Sequence, residues 1–349
     1  MRKTVAAKKS VRKAAFMTDI ATLNAALERV ADPRGKGGLI SSRRVTAPRL
    51  NDGRVSLILD VTGLLPAEQD ILDKTVRSAI INLAGVTDIR IALTSQKTGR
   101  RLIAVGSGKG GVGKSTVSAN LAVAMVRMGR KVGLIDADIY GPSQPRLMDS
   151  EDERPTAKGK QLEPVATRFG VPMLSMGHLV KPGQAVAWRG PMAGNALGQL
   201  IDANWGECDI IIVDLPPGTG DIQLSMMTKQ KPIGAVIVST PQDLALIDAA
   251  RAIDLFSQST VPIIGMIENM SGYACPSCGE ISDPFGRGGA EAAAAEMGHA
   301  FLGRIPLDMA IRIASDDGNP PAAGDGAIAA SFTTIARRIC SWLDNQGAF

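Results

Sequence analysis

The stretch "GSGKGGVGKST", Gly106–Thr116, decides the fold of the larger part of this chain. It lies between the apolar run "LIAV" and the segment "KSTVSANLAVAMVRMG", whose apolar residues have helical spacing. A glycine-rich turn between a strand and a helix, with a lysine and a hydroxyl at its end, is typical of phosphate-binding loops. The residues that fit G-x-x-x-x-G-K-[ST] are Gly108, Gly113, Lys114 and Ser115.

The loop predicts a nucleotide site with bound Mg²⁺. Backbone N–H groups of such a loop converge on phosphate oxygens, and the following helix directs its positive end at them. Lys114 is expected to reach the β- and γ-phosphates and Ser115 to ligate Mg²⁺. A glycine-rich turn with no ligand is the alternative, but it does not explain Lys114 and Ser115. The residues predicted to hold the nucleotide here are Gly108, Lys109, Gly110, Gly111, Val112, Gly113, Lys114, Ser115 and Thr116.

Two further apolar runs end in carboxylates. "DIIIVD" ends at Asp214, where P-loop enzymes place a second group associated with Mg²⁺. "VGLIDAD" places Asp136 and Asp138 at another strand end, two residues apart and so on the same side. One is expected to support the metal site, and Asp138 is the candidate to orient the attacking water; the alternative is that each caps a turn. With no glutamate or glutamine evident as base, we expect slow turnover.

Strands and helices alternate from about residue 100 onward. The strands are predicted in "RLIAVGS", "KVGLIDAD", "VPMLSM", "CDIIIVDLP", "IGAVIVST" and "PIIGMIEN", and the charged segment "SEDERPTAKGKQLEP" is predicted to be a surface loop. This alternation predicts a doubly wound α/β domain with a mainly parallel sheet. We assign it residues 102–349, with a linker at 96–101.

Residues 18–95 predict a separate, small α+β domain. They read as helix, strand, strand, helix and strand, with Thr18 as a possible cap of the first helix. The domain has no cysteine or histidine, so it offers no thiolate or imidazole for a metal.

The seventeen residues before this domain are basic, with six Lys/Arg and no acid. Three interpretations stay open: a disordered tail, a transit peptide, or residues that precede the true start at Met17. Without those six charges, the net charge of +5 becomes about −1, which gives little support to nucleic-acid binding. No apolar run has the roughly 20 residues of a membrane span. Four cysteines in 349 residues indicate a reducing compartment, either the cytoplasm or, with a transit peptide, an organellar matrix.

Lys109 is one lysine more than the phosphate loop needs. "GKGGVGKS" resembles the deviant phosphate loop of the MinD, ParA and nitrogenase-iron-protein class of ATPases. In that class the extra lysine reaches across a dimer interface to the partner's nucleotide. The resemblance therefore implies a face-to-face homodimer with ATP between the subunits and adds Lys109 to the catalytic candidates, Lys114 and Asp138. A solvated loop lysine is the alternative.

The segment "IENMSGYACPSCGE" contains a C-x-x-C pair, Cys275 and Cys278. Alone, such a pair fits zinc, an iron–sulfur cluster or a redox dithiol. It follows a predicted strand and so lies at the phosphate edge of the sheet. A closed site needs four ligands, which a symmetric dimer of two such pairs supplies. Cys208 is about 20 Å away along its strand, Cys340 is expected in a helix core, and His178 and His299 are expected to be structural or surface residues.

The sequence downstream of the loop resembles the Mrp/ApbC group of iron–sulfur cluster carrier ATPases. The matching motifs are "DADIYGPSQP", "WRGPM", "VDLPPGTGD", "IENMS", "CPSCG", "FGRGGA" and "FLGRIPLD". The resemblance implies binding of a [4Fe–4S] cluster and its ATP-dependent transfer to apoproteins, and it assigns Asn269 a contact with the adenine. The small domain also resembles one found at the front of bacterial members.

Other classes remain open at this stage. A MinD- or ParA-type partition ATPase would need an amphipathic membrane tail or a basic face, and the C-terminal "ASFTTIARRICSWLDNQGAF" has few basic residues. An electron-transfer ATPase like the nitrogenase iron protein takes its cluster cysteines from separate segments. A structural zinc clip would leave a binding protein with no transfer activity.

Overall fold

The computed structural model describes residues 18–33, 35, 37–61, 64, 66–94, 100–159, 161–179 and 190–346. The predicted basic extension and most of the predicted linker lie outside these ranges, as does the start of the "WRGPM" motif. The chain divides into two compact units, residues 1–99 and 100–349. Within the described ranges, no helix combines the length and the apolar character that a membrane span requires.

The first unit is a three-stranded sheet with two helices. The predicted element order is found: helix, strand, strand, helix, strand. The cap of the first helix is Asp19, which accepts a hydrogen bond from the Thr22 N–H, and the expectation for Thr18 was wrong. The elements are α1 (Ile20–Glu28), β1 (Val45–Asn51), β2 (Arg54–Asp60), α2 (Pro66–Ile81) and β3 (Asp88–Thr94).

The sheet order is β1-β2-β3, with β2 antiparallel to β1 and parallel to β3. Along β2, alternate residues Val55, Leu57 and Leu59 are buried, as the period of two in a strand requires. They form one core with Leu23 and Leu27 of α1. The unit therefore has its own hydrophobic core.

The second unit contains eleven strands and eight α-helices among its described residues. The strands are β4 (Arg101–Gly106), β5 (Val132–Asp136), β6 (Thr156–Lys158), β7 (Gln161–Glu163), β8 (Met173–Ser175), β9 (Ile210–Asp214), β10 (Gly234–Ser239), β11 (Ile263–Glu268), β12 (Tyr273–Ala274), β13 (Ile281–Ser282) and β14 (Phe301–Arg304). The helices are α3 (Lys114–Arg127), α4 (Gln144–Leu147), α5 (Gly190–Ile201), α6 (Asp221–Lys229), α7 (Asp243–Gln258), α8 (Gly289–Glu296), α9 (Met309–Asp316) and α10 (Ala327–Asn345).

Seven of these strands form one parallel sheet in the order β14-β11-β10-β4-β9-β5-β8. The predicted doubly wound α/β fold is confirmed. The six predicted strands are all present, and β14 is the one that sequence patterning missed. The charged segment predicted as a loop instead contains the antiparallel pair β6 and β7.

The sheet is covered on both faces, which explains why its strands are continuously apolar. Along β4, Ile103 and Val105 belong to the core that includes α3 and α10. Leu102 and Ala104 point the other way, into the core that includes α5 and α7. Because all seven strands run in one direction, their carboxyl ends share one edge, and the predicted site residues lie along it.

Candidate functional site

The two glycines that begin and end the phosphate-loop pattern are required by close packing. A Cβ on Gly108 would lie 1.9 Å from the main-chain oxygen of Asp248 in α7. Gly113 has a φ of +80°, and a Cβ there would lie 2.2 Å from Nδ2 of Asn269. Neither position accepts a side chain without moving backbone or a buried amide. The loop therefore depends on two neighbouring segments for its shape.

The interior of the loop presents free hydrogen-bond donors. Among the described residues, no acceptor faces the N–H groups of positions 109–113. The loop is fixed from outside, because Ser107 Oγ donates to the Lys109 carbonyl at 3.0 Å and the Gly218 N–H donates to the Ser107 carbonyl at 2.9 Å. Helix α3 begins directly afterward, at Lys114. Unpaired N–H groups beside a helix N-terminus fit a phosphate group.

Lys114 and Asp214 form a buried ion pair behind the loop. Lys114 Nζ lies 2.5 Å from Asp214 Oδ1, and the two side chains are 6% and 0% exposed. Asp214 Oδ1 also accepts from Ser118 Oγ at 3.0 Å, and its Oδ2 accepts from Gln144 Nε2 at 2.9 Å. Charged and polar donors on both oxygens stabilise the ionised carboxylate in this buried position.

The hydroxyl of Ser115 completes this cluster. Ser115 Oγ lies 3.4 Å from Lys114 Nζ. The structure therefore brings together the lysine, the hydroxyl and the carboxylate that the sequence pattern assigned to phosphate and Mg²⁺. Hydroxyl and carboxylate oxygens are the ligands that a hard cation such as Mg²⁺ prefers.

Asp136 is directly beside Asp214, on the neighbouring strand in register. It is fully buried and accepts hydrogen bonds from Ser175 Oγ at 3.0 Å and from three main-chain N–H groups at 3.1 Å. Burial, and next the charge of Asp214, raises the pKa of Asp136 to about 7. The two carboxyl groups offer oxygen atoms of the kind that a hard cation prefers.

Asp138 lies just outside this cluster. Its Oδ1 accepts from the N–H groups of Tyr140 and Gly141, at 3.1 and 3.2 Å, and its side chain is half-buried. In this structure the side chain therefore caps a turn, as the alternative interpretation of the sequence had it. Its role in orienting water stays a prediction.

Gln144 is a site residue that the sequence analysis missed. It is fully buried at the start of α4, where its Nε2 donates to the Ser115 carbonyl at 2.9 Å as well as to Asp214. Its Oε1 is buried without a hydrogen-bond partner among the described residues. The motif "DADIYGPSQP" contained this residue, but nothing in its spacing from the strand end indicated that the chain turns back there.

Lys109 and Asn269 differ in their exposure. Lys109 is exposed, and within the described ranges it forms no ion pair. Asn269 is 7% exposed, and its Nδ2 donates to the Val112 carbonyl at 2.8 Å. The observed bond makes Asn269 a support of the phosphate loop; its contact with the adenine stays a prediction.

Cys275 and Cys278 lie in a tight turn between β12 and β13. The Cys275 N–H donates to the Glu280 carbonyl at 2.9 Å, and the Gly279 N–H donates to the Cys275 carbonyl at 2.8 Å. Cys275 is half-buried and Cys278 is exposed. Hydrogen bonds from Cys278, and next from Ser277, lower the pKa of the Cys275 thiol, which favours the metal-binding thiolate.

One chain does not complete a metal site at this turn. No group of three or more histidine, cysteine, aspartate or glutamate side chains that could hold a metal occurs among the described residues. Cys340 is buried in the core, as expected, and burial raises the pKa of its thiol. Cys208 is half-buried, and burial raises its pKa to about 11. Neither thiol has the environment of a reactive cysteine.

A family model of the ParA group, described as NUBPL iron-transfer P-loop NTPase, matches residues 98–340. The chain belongs to this family.

A named relative and two solved structures agree with this assignment. An iron–sulfur cluster carrier protein of Deinococcus radiodurans is 40% identical over 331 residues, which are 91% of this chain and 94% of the relative. A nucleotide-binding protein of Archaeoglobus fulgidus, solved with ADP, is 41% identical with a TM-score of 0.56 and covers 63% of this chain and 86% of its own. The cell division ATPase MinD of Pyrococcus furiosus is 26% identical with a TM-score of 0.54, over 70% of this chain and 99% of its own. The MinD-like class of this iron-transfer NTPase is therefore confirmed, and with it the nucleotide-binding fold.

Proposed function

We propose that this iron-transfer NTPase is an ATP-dependent carrier that binds a [4Fe–4S] cluster between two copies of the chain and transfers it to apoproteins. The observation that carries the proposal is the turn of Cys275 and Cys278, which presents two accessible thiols at the nucleotide edge of the sheet. Soft thiolates favour iron–sulfur clusters or zinc over hard cations. The relative's name, iron–sulfur cluster carrier protein, favours the cluster.

A second copy of the chain supplies what the turn lacks. Two thiolates leave half of a four-ligand site empty, and a two-fold axis beside the turn would bring an identical pair. The same sheet edge carries exposed apolar side chains after β5 and β10: Tyr140 is 85% exposed, Leu244 69% and Ile247 53%. Contact with a second copy would cover them and would bring the exposed Lys109 toward the partner's nucleotide.

The phosphate loop fits ATP with Mg²⁺. The free N–H groups of the loop and Lys114 would hold the phosphates, and Ser115, with Asp214 and Asp136 nearby, would hold the cation. Magnesium, when bound, neutralises phosphate charge and so favours attack by water. Within the described residues, the two buried carboxyl groups are already occupied by hydrogen bonds from the protein. We expect slow hydrolysis, because no glutamate or glutamine is evident as a general base.

The exposure of the turn suits transfer rather than storage. A cluster held by Cys278 and its copy would remain accessible to the thiols of a recipient apoprotein, which could replace the carrier's thiolates one at a time. We place this activity in the cytoplasm, or in an organellar matrix if residues 1–17 are a transit peptide. Residues 18–95 and 102–349 would then be the small domain and the ATPase domain of one carrier.

The deciding experiment is metal analysis of protein reconstituted without oxygen. We expect about four iron and four sulfide per dimer, with a visible absorption band, as for one Cys₄-ligated [4Fe–4S] cluster. Cys275→Ala and Cys278→Ala should each lose the iron and sulfide and the transfer to an apoprotein, while ATP binding persists. Cys208→Ala and Cys340→Ala are the controls and should retain both.

Two outcomes would contradict the proposal. If the double variant Cys275→Ala/Cys278→Ala still carried a full cluster, the ligands would lie elsewhere. If wild-type protein took up only zinc, the turn would be a structural clip, and the protein would be an ATPase switch without cargo.

A further inference from the structure

The segment that follows β11 touches the phosphate loop at one end and holds the cysteines at the other. Asn269, its first residue, donates to the Val112 carbonyl of the loop. Cys275 follows six residues later. Because an extended chain spans at most about 3.5 Å per residue, its thiol lies within roughly 20 Å of that bond. Together with the hydrogen bond to Val112, this short span makes the segment a direct connection between the two sites.

The bond from Asn269 holds a peptide group whose other side is available to a ligand. The carbonyl of Val112 and the N–H of Gly113 belong to the same planar trans peptide, so they point in opposite directions. Asn269 occupies the carbonyl, and the Gly113 N–H has no acceptor among the described residues. A phosphate oxygen that accepts from this N–H would polarise the peptide and strengthen the bond to Asn269.

The rest of the segment is fixed at nearly every residue. The Asn269 N–H donates to the Ser239 carbonyl at 2.8 Å and the Ser271 N–H to the Ile305 carbonyl at 3.0 Å. The Gly272 carbonyl accepts from the Leu307 N–H at 2.9 Å, and Tyr273 then pairs with β13. Because these bonds limit bending within the segment, a displacement of Asn269 would be passed along the main chain toward the cysteine turn.

One residue of the segment is strained. Met270 has a φ of +59°, in the left-handed region that side chains other than glycine seldom adopt. Such a conformation is strained and persists where surrounding contacts impose it. It lies next to Asn269, so a change in the bond to Val112 would act first on this residue.

A buried carboxylate lies directly before this segment, at the end of β11. Glu268 is fully buried and accepts from Ser271 Oγ at 2.7 Å, from the Ala290 N–H at 2.9 Å and from Arg304 Nε at 3.1 Å. Hydrogen bonds, of which the one from Ser271 is the largest, outweigh burial and lower the pKa of Glu268. The anchored carboxylate fixes where the segment leaves the sheet, so a displacement of Asn269 passes into Met270 and the residues after it.

We propose that Asn269 transmits the occupancy of the phosphate loop to the cysteine turn, so that bound nucleotide sets the accessibility of Cys275 and Cys278. Asn269 is thus a positioning residue that acts through Val112 at one end and the main chain at the other. The inference rests on the nucleotide-binding part of the proposed function. It does not require that the cargo be a cluster.

The test is the rate at which an alkylating agent modifies each cysteine in metal-free, reduced protein, resolved by mass spectrometry. A non-hydrolysable ATP analogue with Mg²⁺ is added at concentrations that saturate each variant, according to its measured affinity. In wild type we expect the analogue to change the rate at Cys275 or Cys278 by about fivefold or more, the lower end of typical coupling between sites. In Asn269→Ala, with the analogue equally saturating, most of that change should be lost.

Asn204→Ala is the matched control. Its Nδ2 likewise donates one hydrogen bond, to Glu163 Oε1 at 2.8 Å, and its Oδ1 accepts from the Gly206 N–H at 3.4 Å. Asn204 lies just before β9, at the opposite edge of the sheet. It should retain the wild-type response. Asn269→Asp provides a second variant should the alanine variant fail to fold: it keeps the size but replaces the donor with an acceptor, so it should also lose the response.

The reverse measurement needs no variant. Coupling between binding sites is reciprocal, so alkylation of the two cysteines should change the affinity of wild-type protein for the analogue by a similar factor. An unchanged affinity, or a full response in both Asn269 variants, would overturn the inference and leave the proposed function standing. If instead Lys114→Ala bound the analogue as wild type does, the nucleotide site itself would be misassigned.

Discussion

The phosphate loop and the cysteine turn lie on the same edge of one sheet, but one chain completes them to different degrees. Behind the loop, Lys114 and Asp214 are buried and satisfy each other, with Ser118 and Gln144 as further partners. At the turn, Cys278 is exposed and the described part of the chain offers no third ligand. If the proposed function holds, a single subunit builds a nearly finished nucleotide site and half of a metal site, and the second site depends on assembly.

The difference also predicts where substitutions affect stability. A buried ion pair that loses one partner leaves an uncompensated charge, whereas an exposed thiol can be removed with little effect on folding. Substitutions at the phosphate loop should therefore lower both activity and stability. Substitutions at the cysteine turn should lower activity and leave stability nearly unchanged.

The largest effect is expected for Lys114→Ala. It removes the cation proposed to hold the phosphates and leaves Asp214 buried beside Asp136. We expect ATP turnover to fall by about 10²-fold or more, and the free energy of unfolding to fall by about 3 kcal/mol. Steady-state phosphate release and urea unfolding measure the two effects.

The double variant Lys114→Met/Asp214→Asn separates the effect on turnover from the effect on stability. Because both charges are removed, no unpaired ion is left buried, so much of the stability should return. Turnover should stay as low as in Lys114→Ala. If Lys114→Ala hydrolysed ATP at the wild-type rate, the assignment of the loop would be wrong.

A smaller and more selective effect is expected for Lys109→Ala. This side chain is exposed, and within the described residues it has no ion-pair partner, so stability should be unchanged. If it acts across a dimer, each subunit keeps its own loop and loses only the contact from its partner. Turnover should then fall by about tenfold or more, whereas ATP affinity measured by calorimetry stays close to wild type. Equal loss of affinity in the Lys109 and Lys114 variants would show that Lys109 serves its own loop.

The last of these effects appears only at acid pH and concerns stability, not turnover. His178 is 8% exposed, and burial, with a smaller contribution from Arg154, lowers its pKa from 6.5 to about 4. The unfolded chain therefore binds a proton at a higher pH than the folded chain does. The stability from this residue is present above pH 6.5 and is lost as the pH falls toward 4, by at most about 3 kcal/mol.

His178→Asn tests this dependence, because Oδ1 of asparagine can replace Nδ1 as the acceptor for the Ser175 N–H. The variant should lose less stability than wild type between neutral pH and about pH 4. Cys278→Ala, on the exposed side, should follow the wild-type curve. If His178→Asn showed the wild-type acid sensitivity, other groups would be its source.

Patterns of neighbouring residues in the sequence predicted most of the strands and helices and identified the phosphate loop. Gly108, Gly113, Lys114 and Ser115 could be recognised because a phosphate loop is one continuous stretch whose chemistry depends on spacing along the chain. Strand ends such as Asp214 could be placed beside it because parallel strands share their carboxyl edge. The first helix cap at Asp19, the pair β6 and β7, and strand β14 were missed or misassigned, since short elements have too few residues to show a period.

What only the tertiary structure decided is which side chains from distant segments meet. Gln144 reaches Asp214 across 70 positions and Asn269 reaches Val112 across 157, and neither contact has a periodic signature in the sequence. The sequence by itself determined the parts with local chemistry: the phosphate cradle, the paired thiols and the alternation of strands and helices. The folded chain determined the charge compensation of the buried carboxylates and the link from the loop to the cysteines, because burial and hydrogen bonding depend on packing in three dimensions.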